Sequence, residues 1–122
     1  MVAVAKTSEP KPDMASNGRA IDVGHLARMT LGDRSLEREV LALFDRQADL
    51  LLPRIRAGAP AMAAASAHTL KGSAVGIGAF KVARAVEQVE QARDMEIVAA
   101  VETLAAALEE AKAEIARLLQ GA

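Results

Sequence analysis

Cysteine, tryptophan and tyrosine are absent from this 122-residue chain, and phenylalanine occurs only twice. Without cysteine there is no disulfide framework, no thiol nucleophile and no thiolate-based zinc or iron–sulfur site. The shortage of aromatics argues against base-stacking modes of single-stranded nucleic-acid binding. Fifteen Lys and Arg against sixteen Asp and Glu leave a formal net charge of −1, so no global basic field draws the chain to DNA or RNA. No stretch approaches the roughly 18 uninterrupted apolar residues of a membrane-spanning helix. The opening MVAVAKTSEP meets a lysine after five residues, too short an apolar run for a secretory signal. A soluble cytoplasmic protein, with neither nucleic-acid nor membrane partners, is the expectation.

What is abundant is alanine, at 28 of 122 residues. Alanine is the best helix former, whereas sheets prefer aromatic and β-branched residues. The chain length suits one domain with a single core. An all-α fold follows. Residues 1–20 mix Lys, Ser, Pro, Asp, Asn and Gly without apolar periodicity and read as a flexible tail, leaving residues 21–122 as the folded domain.

From Ile21 the pattern is helical. A short segment to about Met29 carries Ile21, Leu26 and Met29. Gly32 and Asp33 break it, and Asp33 or Ser35 can cap a second helix bearing Leu36, Val40, Leu43, Phe44, Leu51 and Ile55 largely on one side. Pro53 should kink that helix or end it early. Gly58 and Pro60 punctuate before a third helix, about Pro60 to Val75, stopped by Gly76 and Gly78. A fourth runs from about Ala79 to Arg93. Asp94 is a candidate cap for a fifth, about Met95 to Gln120, where Ile97, Val101, Leu104, Leu108, Ala111, Ile115 and Leu118 alternate spacings of four and three. Four long helices with short connections predict an antiparallel up-down-up-down bundle, with the short first helix laid against it.

The third helix carries the functional signal. Its apolar stripe is Ala63, Ala67, Leu70, Ala74 and Ile77, and at about 100° per residue His68 points roughly 140° from the stripe's centre. The outward face is Ala64, Ala65, His68, Thr69, Gly72 and Val75, with Lys71 at the flank as the only charge between Pro60 and Phe80. An ordinary solvent face carries Glu, Lys, Arg and Gln, as the last helix does with Glu102, Glu109, Lys112 and Glu114. A mid-helix glycine is about 1 kcal/mol less favourable than alanine. Residues i and i+4 are neighbours on a helix surface. Gly72 therefore offers clearance for a bulky group approaching His68.

The run AHTLKGSAVGIGA at 67–79 resembles the signature of histidine-containing phosphotransfer (HPt) domains: a histidine, Leu-Lys-Gly at the second to fourth positions after it, small residues and a closing glycine. His68, Leu70, Lys71, Gly72, Ser73, Ala74 and Gly78 stand where that motif wants them, and Val89-Glu90-Gln91-Ala92-Arg93 is similar to the end of the family's next helix. The resemblance covers about residues 21–120 and agrees with the bundle. Two positions depart from it. Gly76 falls where a better helix former is expected, and Glu90 stands where many relatives have a glutamine, with Gln88 and Gln91 nearby.

The resemblance implies phosphoryl relay. His68 would accept a phosphoryl group from a receiver-domain aspartate, on a response regulator or hybrid sensor kinase, and pass it to another receiver. A near-neutral pKa gives histidine an unprotonated nitrogen for this at cellular pH. Lys71 would offset the added charge, Gly72 give clearance, Ser73 add a hydrogen bond and Glu90 orient the imidazole. Ala64, Ala65, Thr69 and Val75, with Leu26 and Met29 of the first helix, would dock the receiver. Magnesium and the acidic cluster belong to the partner. The chain itself, with no Gly-rich phosphate loop, is then a monomeric phosphocarrier without cofactor or ATP site rather than an enzyme.

Three other readings are open. A dimerising phosphoacceptor domain of a sensor kinase usually has an acidic residue after its histidine and a proline soon after, where this chain has Thr69 and no proline beyond Pro60. A pure interaction module would leave His68 incidental. A metal site would need His25, read here as a surface or capping residue, and no ligand spacing supports it.

Overall fold

The structure, a computed structural model, describes residues 19–121. Those residues form five helices and no strand: α1 Val23–Met29, α2 Arg34–Ala57, α3 Pro60–Ile77, α4 Phe80–Gln91 and α5 Glu96–Gln120. The expectation for residues 1–18 lies outside the described residues. Arg19 pairs with Glu114 at 3.7 Å, and Ile21 is fully buried.

Several boundaries have a local cause. The Asp22 carboxylate accepts the His25 backbone N–H at 3.0 Å and starts α1. The turn to α2 passes through left-handed backbone at Leu31 and Gly32, and Asp33 then caps α2 by accepting the Leu36 N–H at 3.0 Å. Such a cap is worth about 1 kcal/mol. Asp33→Ala is therefore expected to lower the melting temperature by about 4–8 °C, the shift that 1 kcal/mol gives a domain of this size, as thermal circular dichroism would measure. Pro53 neither ends α2 nor shortens it: the helix continues to Ala57. Its ring is exposed and lies in the second-last turn, where only one backbone donor is lost.

Likewise α3 passes through Gly76 and stops only after Ile77, where Gly78 takes the left-handed conformation and Ala79 N–H donates to the Ala74 carbonyl at 2.8 Å. A Cβ on Gly78 would lie 2.7 Å from the Asp22 carbonyl oxygen, and the Asp22 N–H donates to the Gly78 carbonyl. This glycine thus allows the close approach that locks the chain before α1 onto the α3–α4 corner. Asp94 does not cap α5. It sits at φ 53° in the turn, so its side chain is misplaced for capping, and Met95 precedes the helix without a side-chain cap.

Consecutive helices α2 to α5 pack as neighbours, α5 closes against α2, and α1 lies on α3. The core between them is built from Phe44, Leu70, Val82, Val86, Leu104, Leu108 and Ile115, filled out by Ala48, Ala67, Ala74, Ala79 and Ala111. Alanine in these positions lets helices approach closely, which is how a core with almost no aromatics closes. Across the outside, Lys112 of α5 donates to Asp45 at 2.7 Å and Asp49 at 2.9 Å on α2, Arg56 pairs with Glu102 at 3.2 Å, and Arg38 reaches the Leu119 carbonyl at 2.8 Å. Burial alone would lower the Lys112 ammonium pKa; the two aspartates outweigh it and hold the pKa above its ordinary value. Glu114, a buried carboxylate, is paired with Arg117 and Arg19.

Candidate functional site

Helix α3 buries Ser66, Ala67, Leu70, Ala74 and Ile77 against its neighbours and turns His68 to solvent in mid-helix. Among the described residues, none hydrogen-bonds the His68 ring. Ala64, Ala65, Thr69, Gly72 and Val75 are exposed around it. A Cβ on Gly72 would meet nothing within 4 Å, so the packing of the described residues does not require a glycine there. Gly76 is equally open.

Lys71 stands one turn after His68 at the edge facing α4. Its ammonium donates to Glu90 Oε1 at 3.1 Å and lies 3.9 Å from Glu87 Oε2. Glu90, a candidate for orienting the imidazole, is thus engaged with the lysine. Ser73 is half-buried and borders a groove of about 300 Å³ with Gly76, Met29, Leu36, Val40, Leu43 and Phe44.

Of the two α1 residues assigned to docking, only Met29 is available, 58% exposed at the mouth of this groove. Leu26 is 3% exposed and belongs to the core. A seven-residue helix has too few turns for its sequence to define a face. Similarly, Leu36 and Leu43 are exposed walls of the groove rather than core. His25 is not a free surface residue, and it caps the end of α3 rather than its own helix. Its ring donates from Nε2 to the Val75 carbonyl at 2.9 Å and meets Phe80 edge-on at 5.1 Å between ring centres. The carbonyl can only accept, so this nitrogen carries the proton. This tie fixes α1, and with it Met29, beside the last turn of α3. Nothing in the spacing of His25 signals it, since its partner lies 50 residues away.

Among the described residues, no group of three or more His, Asp or Glu could hold a metal ion, and no helix is long and apolar enough to cross a membrane.

An exposed, unbonded histidine in mid-helix, followed by a lysine and an unrequired glycine, is the arrangement on which the family comparison bears. The model of the Hpt domain matches residues 34–121, from the first residue of α2 to the end of α5. The chain belongs to the Hpt domain family. Hpt domains act in histidine phosphotransfer within phosphorelays, interact with receiver domains, and are phosphocarriers rather than enzymes with their own ATP site. The match leaves α1 outside it, so the groove wall formed by Met29 is an addition to the matched region. Comparison with curated proteins and with solved structures returns no match.

Proposed function

We propose that this Hpt domain is a relay intermediate that takes a phosphoryl group from the aspartate of one receiver domain onto His68 and delivers it to the aspartate of another. The observation that carries the reading is His68 itself: exposed in mid-helix, without a hydrogen bond to its ring among the described residues, with open space over Gly72 one turn on. The lone pair of the unprotonated ring nitrogen attacks phosphorus. An N–P bond forms as the O–P bond to the aspartate breaks, and the carboxylate is regenerated on the receiver. The reverse exchange on a second receiver empties the site. The receiver supplies the magnesium.

Lys71 offsets the charge of the phosphoryl group, which in phosphoesters is about −1.5 to −2. Ser73 offers a hydroxyl at the flank. The receiver docks over Ala64, Ala65, Thr69 and Val75, and Met29 extends that surface. Arg56–Glu102, Asp49–Lys112, Asp45–Lys112 and Arg38–Leu119 pair positions that rise along α2 with positions that fall along α5. That order supports an antiparallel bundle, which works as a cytoplasmic monomer.

The test is transfer from a panel of labelled phospho-receivers to the purified chain. Acid-labile, base-stable label on the protein is the expected result, and no label from a broad panel would favour a pure interaction module. Lys71→Ala is expected to shorten the lifetime of the phosphorylated protein by about two- to fivefold, the scale of an exposed charge pair. Unchanged decay and transfer would make Lys71 an ordinary solvated lysine.

A further inference from the structure

Two carboxylates of α4 hold Lys71, one turn from His68, before any phosphoryl group arrives. Lys71 Nζ is 3.1 Å from Glu90 and 3.9 Å from Glu87, so lysine and carboxylates together carry a formal charge of −1. The face of α3 has no other charge between Pro60 and Phe80. We infer that Glu90, with Glu87, is a positioning residue that sets how far Lys71 is available to phosphorylated His68, and thereby how long the phosphohistidine lives. This rests on His68 being the phosphorylated residue.

Residues three apart on a helix have Cβ atoms about 5–6 Å apart, so a phosphoryl group on His68 comes within reach of the Lys71 side chain. The lysine then has competing anionic partners: the phosphoryl oxygens on its own helix and the carboxylates on α4. The side chains of Lys71 and Glu90 are 29% and 32% exposed, a degree of hydration at which an ion pair is weak and exchangeable. Phosphorylation draws the lysine from α4 toward His68, and the carboxylates draw it back. While the lysine is on α4, the phosphoryl group lacks its counter-charge and is more readily lost. In hydrolysis the P–N bond breaks, water's oxygen bonds to phosphorus, one water proton goes to the ring nitrogen and the other stays on the phosphate. Glu90 accordingly keeps the carrier short-lived.

Glu87 is the weaker holder, at the longer distance and with a side chain 53% exposed. Replacing it should act in the same direction and less strongly than replacing Glu90.

The experiment loads the full chain with phosphoramidate, a small donor that needs no receiver, and follows decay of the phosphohistidine in wild type, Glu90→Gln, Lys71→Ala and the double variant. Glu90→Gln is expected to lengthen the lifetime about two- to fivefold, the range open to exchangeable surface pairs. In the Lys71→Ala background the same substitution should change nothing, because it acts through the lysine. The Lys71 ammonium resonance should move on Glu90→Gln and again on phosphorylation. Equal lifetimes, or the same lengthening with and without Lys71, would overturn the inference while leaving His68 the phosphorylated residue. Failure of His68 to take label in every variant would instead overturn the phosphotransfer reading, and this inference with it.

Discussion

A His68→Gln protein is expected to take up no phosphoryl group from any phospho-receiver that labels the wild type. The amide nitrogen of glutamine has its lone pair delocalised into the carbonyl and cannot attack phosphorus, while the side chain remains polar and of similar reach. The fold should not notice the change. His68 is exposed and makes no hydrogen bond among the described residues, and surface substitutions of that kind usually stay within about 0.5 kcal/mol. Glutamine is also a better helix former than histidine. The comparison requires acid-labile label and a thermal melt on both proteins. Loss of label with an unchanged melt assigns the phosphoryl group to His68; label persisting on the variant would remove His68 from the mechanism altogether. Since histidine occurs only twice in the chain, His25 would be the remaining imidazole, and its Nε2 is occupied by the Val75 carbonyl.

Periodicity alone reveals the long helices, because burial recurs with the helical repeat. In α5 the stripe Val101, Leu104, Leu108, Ala111 and Ile115 is buried as its spacing requires. The same stripe fails at Ile97, which is exposed. That residue lies in the first turn, where the residues around it, from Arg93 to Ala99, are exposed as well. In α2, Leu36 and Leu43 lie on the correct side, yet of the α3 residues bordering the same groove Ser73 and Gly76 are too small to cover them, and Ile77 is itself buried in the core. Spacing predicts direction, and the size of the opposing residue decides whether a side chain is covered.

Helix ends were less legible for a related reason. Both Gly76 and Gly78 are glycine to a reader of sequence, but only Gly78 takes positive φ, because only there does the chain turn against Asp22. For the site, the face of α3 could be read in one dimension, since His68, Lys71 and Gly72 share one helix. The engagement of Lys71 by Glu90 depends on the register between α3 and α4, across 19 residues. Spacing along either helix leaves that register open, so Glu90 could be placed near the site but not paired. The tie from His25 to Val75 is hidden in the same way.

Gly72→Gln separates stability from transfer, and the two should move in opposite directions. A Cβ at this position meets nothing within 4 Å, so the substitution introduces no clash, and replacing a mid-helix glycine by a good helix former is worth about 0.5–1 kcal/mol. The melting temperature should rise by a few degrees, since 1 kcal/mol corresponds to about 4–8 °C in a domain of this size. Helical side chains lean toward the N-terminus, so a glutamine at 72 covers the turn before it, where His68 emerges. A receiver must bring its aspartyl phosphate to within about 3–3.5 Å of the ring nitrogen, and a displacement of about 1 Å can cost on the order of 100-fold in rate. Transfer from a phospho-receiver should therefore fall by about that factor, whereas loading by phosphoramidate, which needs no docked domain, should be little changed. Gly72→Ala, adding only the Cβ, should lie between wild type and Gly72→Gln in transfer while still raising stability. Equal transfer rates across the three proteins would show that the open space over Gly72 is not used by the partner, and the glycine would be left without a role in docking.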